Sequence, residues 1–140
     1  MLKSFFNNIF GNKSSTETKT ILVVDDTDSD RHLVQKILEN NGFKTIAASG
    51  GRMGVELARQ SRPDLVLMDY MMPELNGMEA CGILKNDPQT RNIPIIFLTS
   101  MDTPEGVIKS FEKGAETFLN KPVRSVELIN QIEFTFANKP

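Results

Sequence analysis

Residues 20–32 read TILVVDDTDSDRH, an apolar, β-branched run that stops abruptly on aspartates 25, 26, 28 and 30. Carboxylates this dense repel one another unless a cation or a helix start employs them. The alternate spacing of Asp26, Asp28 and Asp30 matches the opening of a calcium loop. Such a loop, however, needs Gly at its sixth position, where Arg31 stands, and a bidentate Glu at its twelfth, where Ile37 stands. A calcium loop also lies between two helices, whereas TILVV reads as a buried strand. The acids therefore stand at the carboxyl end of a strand.

From Thr20 onward, short apolar runs alternate with amphipathic segments. Strands are predicted at TILVV (20–24), KTIAA (44–48), LVLMD (65–69), PIIFL (94–98) and TFL (117–119). Most are too continuously apolar for a sheet with one wet face, so helices must cover both sides. The segment SDRHLVQKILENNG (29–42) sets Leu33, Val34, Ile37 and Leu38 on one helical side and ends on Gly42, suited to a left-handed cap. Asp28 is the expected N-cap of this helix, and Asp30 belongs to its first turn. Further helices are expected at about 51–60, 75–86, 104–113 and 123–136. Pro73 and Gly77 in MMPELNG shape the loop after Asp69 and start the helix at 75–86. The fold class is α/β, a doubly wound five-stranded parallel sheet with about five helices.

The chain of 140 residues corresponds to about one domain. Its lone Cys81 and the absence of a zinc-spaced Cys/His set point to a reducing compartment, the cytoplasm. A net charge of −2 with interspersed signs offers no basic face for nucleic acid. No stretch reaches the length of a membrane span, and MLKSFFNNIFG lacks the core and cleavage site of a signal peptide. Residues 1–19 form an N-terminal extension, of which GNKSSTETK reads as a linker. Ahead of it, Leu2, Phe5, Phe6, Ile9 and Phe10 recur at intervals of three and four. That stripe reads either as a frayed tail or as a segment, residues 1–11, that docks on a partner or membrane surface.

In an open parallel sheet, chemistry collects where loops leave the carboxyl ends of the strands. Those ends carry Asp25 and Asp26, Asp69, Thr99 and Ser100, and finally Asn120, Lys121 and Pro122. Three close carboxylates need a cation, and an oxygen-only set suits Mg2+, which keeps waters and leaves room for a phosphate oxygen. A lysine and a hydroxyl nearby would balance an added phosphoryl group, so one acid is the expected acceptor.

Over residues 20–138 the chain resembles the receiver domain of bacterial two-component response regulators, particularly the stand-alone, chemotaxis-type regulators. The resemblance rests on DD at 25–26, the aspartate of LVLMDYMMPELNG at 69, the threonine of FLTS at 99 and the lysine of FLNKP at 121. It implies a flavodoxin-like sheet of order 2-1-3-4-5. It also implies that Asp69 takes a phosphoryl group from a sensor histidine kinase or a histidine phosphotransfer protein, forming an aspartyl phosphate. By the same resemblance Asp25, Asp26, Asp69 and the backbone carbonyl of Met71 hold Mg2+, and Lys121 and Thr99 complete the reacting set. Thr99 pairs with an aromatic at Phe118 to form the switch. Lacking a hydroxyl, Phe118 should favour inward packing.

The resemblance implies that the switch remodels the surface around the last two helices and the fifth strand, a face that also offers a homodimer contact, and Phe134 is a candidate contact residue there. Since the chain stops near the end of the receiver, output is expected through a downstream target protein, with the protein itself a signalling switch and not an enzyme. A phosphorelay intermediate and a phosphorylation-independent adaptor are the alternatives. An aspartate-dependent phosphatase would need a second Asp where Met71 stands. Met71 and Met101 replace residues that are often polar in the family, and their bulk is expected to slow hydrolysis of the phosphoform. His32 reads as a surface residue.

Overall fold

The computed structural model describes residues 17–100 and 112–138. Five strands, β1 (Thr20–Val24), β2 (Lys44–Ala48), β3 (Leu65–Asp69), β4 (Ile95–Thr99) and β5 (Thr117–Asn120), pair in parallel in the order β2-β1-β3-β4-β5. Helices α1 (Asp28–Asn40), α2 (Gly51–Ser61), α3 (Gly77–Lys85) and α4 (Ser125–Ala137) cover the sheet. Three expected strands match residue for residue; β4 starts and ends one residue later than expected, and β5 extends to Asn120. The stripe at Leu2, Phe5, Phe6, Ile9 and Phe10, Met101, and nearly all of the helix expected at 104–113 lie outside the described residues.

Alternation along the strands divides the interior into two clusters. Leu22, Val24, Val66, Met68, Ile95 and Phe97 pack with Val55 and Ala58 of α2 and Ala80, Cys81 and Leu84 of α3. Ile21, Val23, Leu65, Leu67, Ile96 and Leu98 point the other way, onto Val34 and Leu38 of α1 and Leu128 and Ile132 of α4. The central strands β3 and β4 are buried at every residue, which is why their sequences show no polar alternation.

Helix α1 ends as expected. Gly42 takes φ +90°, its N–H reaches the Glu39 carbonyl and the Phe43 N–H reaches that of Leu38, a Schellman closure that also seats Phe43 in the core beside Leu38. Its beginning and its face differ from expectation. Thr27, not Asp28, is the N-cap, and it makes no side-chain capping bond; Asp28 is the first helical residue and pairs with Arg31 at 2.6 Å. Leu33 is 50% exposed, because the face that meets the sheet is centred on Val34 and Leu38, with Ile37 at its margin. On α4 the buried line is Leu128, Ile132 and Thr135, with Ile129 and Phe136 half-buried and Val126 outside. Phe134 is 63% exposed, and His32 is exposed.

Helix α3 begins with a capping box: Asn76 Oδ1 accepts from the Glu79 N–H, and Glu79 Oε1 accepts from the Asn76 N–H. The next residue, Gly77, sits so close to the end of β3 that a Cβ there would overlap the Asp69 carbonyl oxygen and crowd the Phe97 ring. Glycine is needed there for close approach of two backbones. Gly77→Ala should therefore cost about 1–3 kcal/mol in urea denaturation. By contrast, Gly82→Ala in the same helix, where the nearest atom to a Cβ is 4.0 Å away, should be neutral or stabilising by up to about 1 kcal/mol. Equal effects at the two positions would show that the contact with β3 carries no weight.

Candidate functional site

β1 and β3 are neighbours, with β2 on one side and β4 and β5 on the other, so the chain order reverses between them. The carboxyl ends of these two strands form the crevice where such sheets bind ligands. Asp25 follows β1, with its N–H bonded to the Ala48 carbonyl, and Asp69 closes β3. Both are buried, whereas Asp26 is exposed. One oxygen from each of Asp25, Asp26 and Asp69 lies within 4.8 Å of the other two. A trio of carboxylates at that separation, presenting oxygen only, fits a hard divalent cation.

The opposing charge arrives from the far edge of the sheet. Lys121 follows β5; its N–H donates to the Thr99 carbonyl at 2.9 Å, which ties its main chain to the end of β4, and a cis peptide bond joins it to Pro122. Its Nζ donates to Asp25 Oδ2 at 2.9 Å and to Asp30 Oδ2 at 3.1 Å, and stands 3.5 Å from Asp69 Oδ2. Thr99 is buried at the end of β4. Phe118 on β5 is half-buried against the first core cluster. Met71, two residues after Asp69, is 57% exposed. Asp25, Asp26, Asp69 and Lys121 thus converge, with Thr99 bonded to the Lys121 main chain; Phe134 lies apart, lining a groove of about 610 Å³ with Lys85, Arg91 and Pro94, which precede β4, and Glu116, which precedes β5.

Two residues belong to this site that sequence reasoning assigned elsewhere. Asp30, expected to serve only the helix, hydrogen-bonds Lys121 across 91 positions of sequence. Arg31 entered the sequence reading only as the residue that excludes a calcium loop. Its Nη1 donates to the Asp25 carbonyl at 2.8 Å and its Nη2 to Asp28, anchoring the first turn of α1 to the acid loop. The Asp25 side chain itself accepts from the Thr27 N–H through Oδ1 at 2.9 Å, leaving Oδ2 for Lys121. Only the dense acid run hinted at these bonds.

Burial, and then the adjacent Asp25 charge, push the Asp69 carboxyl up to about 7, against the pull of Lys121. Burial works against the Lys121 ammonium, but its bonds to Asp25 and Asp30 and the field of Asp69 prevail and hold its pKa above the ordinary value. Asp69 therefore binds its proton more tightly folded than unfolded, so its contribution to stability is complete below about pH 4 and is lost as pH rises through about 7. In metal-free protein, Asp69→Asn should raise the urea midpoint at pH 8 and do so less at pH 5. Added Mg2+, which competes with the proton, should flatten the pH dependence of the parent. A gain independent of pH would mean that Asp69 is not strained by its surroundings.

Comparison with known proteins agrees with this geometry. Residues 21–133 match the family model described as the response regulator receiver domain. The chain is 38% identical over 117 residues to the protein PilH of Pseudomonas aeruginosa, covering 84% of this chain and 97% of PilH. Among solved structures, the chemotaxis protein CheY4 of Vibrio cholerae superposes with a TM-score of 0.81 at 28% identity, covering 84% of this chain and 98% of that one. The receiver domain of the sensor histidine kinase PA1611 from Pseudomonas aeruginosa, solved with a magnesium ion coordinated in its active-site cleft, superposes with a TM-score of 0.78 at 25% identity, covering 84% of this chain and 97% of that one. With the family model spanning both cores and every strand end that builds the acid crevice, the chain belongs to the response regulator receiver domains of two-component signalling.

Proposed function

We propose that this protein is a single-domain phosphoacceptor switch, in which Asp69 receives a phosphoryl group from a sensor histidine kinase or a histidine phosphotransfer protein and the phosphorylated form engages a target protein in the cytoplasm. The observation that carries this reading is the buried Asp69 carboxylate with the Lys121 ammonium 3.5 Å away and two further acids beside it. A match along 97% of PilH supports the single-domain reading.

In the transfer, an Asp69 carboxylate oxygen forms a bond to phosphorus as the bond from phosphorus to the donor imidazole nitrogen breaks, and the nitrogen keeps the electron pair. Little else is asked of the protein than alignment and charge balance. Lys121 donates to the phosphoryl oxygens, and the Thr99 hydroxyl turns toward the same group, with Phe118 following on the neighbouring strand. Asp25, Asp26, Asp69 and the Met71 carbonyl would hold Mg2+, which when bound supplies the positive charge that the crowded acids and the phosphoryl oxygens require. The magnesium-bound PA1611 receiver supports that choice of ion.

Incubation with Mg2+ and acetyl phosphate should add one phosphoryl group by intact mass, and the adduct should vanish in Asp69→Ala or with EDTA. A folded protein that takes no phosphoryl group under these conditions would return the acids to a structural role and favour an adaptor. Met71 follows Asp69 by two positions and its side chain is exposed, and in this reading its bulk hinders an approaching water. Met71→Asn, which keeps the backbone carbonyl, should shorten the lifetime of the phosphoform several-fold; an unchanged decay rate would remove Met71 from the control of hydrolysis.

A further inference from the structure

Lys121 is not balanced by the metal-holding acids alone. Of its three ammonium protons, one goes to Asp25 and one to Asp30, at 2.9 and 3.1 Å, while the separation from Asp69 is longer, 3.5 Å. Asp30 is the third residue of α1, where an acid commonly folds back on the helix N-terminus, yet Thr27 offers it no reciprocal cap and the side chain turns to the lysine instead. The other charges of that turn are already committed, since Arg31 is held by the Asp25 carbonyl and by Asp28. Asp30 also lies outside the trio that could share an ion.

We propose that Asp30 is a positioning residue that holds the Lys121 ammonium away from Asp69 in the unphosphorylated protein, so that phosphorylation must draw the lysine out of a competing ion pair. This rests on the phosphoacceptor reading above. When an Asp69 oxygen bonds to the phosphorus of acetyl phosphate, the bridging P–O bond breaks and acetate leaves with the electron pair, and the phosphoryl oxygens then compete with Asp30 for the ammonium. Asp30 acts as a brake on two counts: it occupies the lysine, and it adds negative charge facing an anionic donor. Because the Asp30 side chain is half-exposed, the brake is modest.

The test follows adduct formation from acetyl phosphate at saturating Mg2+ by intact mass, together with the 15N signal of the Lys121 ammonium in unphosphorylated protein. Asp30→Asn should form adduct about two- to fivefold faster, the ordinary worth of a partly exposed ion pair, and should shift the Lys121 signal. Asp30→Glu, which keeps a carboxylate within reach, should restore both towards the parent. Glu127→Gln removes an equal charge from the first turn of α4 without touching Lys121 or the Arg31 anchor and should leave both near the parent. An unchanged Lys121 signal in Asp30→Asn overturns the proposal whatever the kinetics show. So does a rate unchanged or slowed in that variant, or one matched by Glu127→Gln, which would assign the effect to general charge. A parent protein that forms no adduct while its Lys121 signal still responds to Asp30→Asn would instead overturn the phosphoacceptor reading, a separate failure.

Discussion

The structure turns on an imbalance of charge: Asp25, Asp26 and Asp69 crowd the crevice between β1 and β3, and among the described residues Lys121 brings the ammonium that pairs with Asp25 and Asp69. Carboxylates at that spacing, two of them buried, cannot all remain ionised at little cost, and the pKa of Asp69 is raised first by its burial and then by the Asp25 charge. Much of the surrounding architecture holds the opponents in place. The capping box of α3 and the glycine after it seat the helix against the end of β3. Arg31 pins the acid loop from beneath, and the Thr99 carbonyl fixes the main chain of Lys121. Among the described residues no buried side-chain nitrogen or oxygen lacks a hydrogen-bond partner, so the conflict lies in charge and not in unmet hydrogen bonds.

Most of the fold was legible because burial leaves a plain mark. Strands covered on both faces become uninterrupted apolar runs, and LVLMD could be bounded to the residue. Helix faces were harder, since adjacent apolar residues such as Leu33 and Val34 differ by only 100° of rotation; tertiary packing chose Val34 and left Leu33 half in solvent. The carboxyl ends of the strands named the members of the site, because a parallel sheet gathers them whatever the helices do. What stayed hidden was partnership. Nothing local tells Asp30, in a helix's first turn, to bond a lysine 91 positions away in place of its own backbone, and nothing local makes Glu74 adopt φ +68° in the loop after Met72 and Pro73.

Full burial of β3 has a mechanical consequence. Each of its five residues is enclosed, with β1 hydrogen-bonded along one side and β4 along the other, so the carboxylate at its tip is mounted on a strand braced on both sides. β5 has one neighbour in the sheet, and two of its four residues are only partly covered. At the margin, β5 is hydrogen-bonded to β4 alone, so fewer bonds hold it in place than hold β3. The sheet order thus sets Asp69 on an anvil and Lys121, which follows β5, beside a spring.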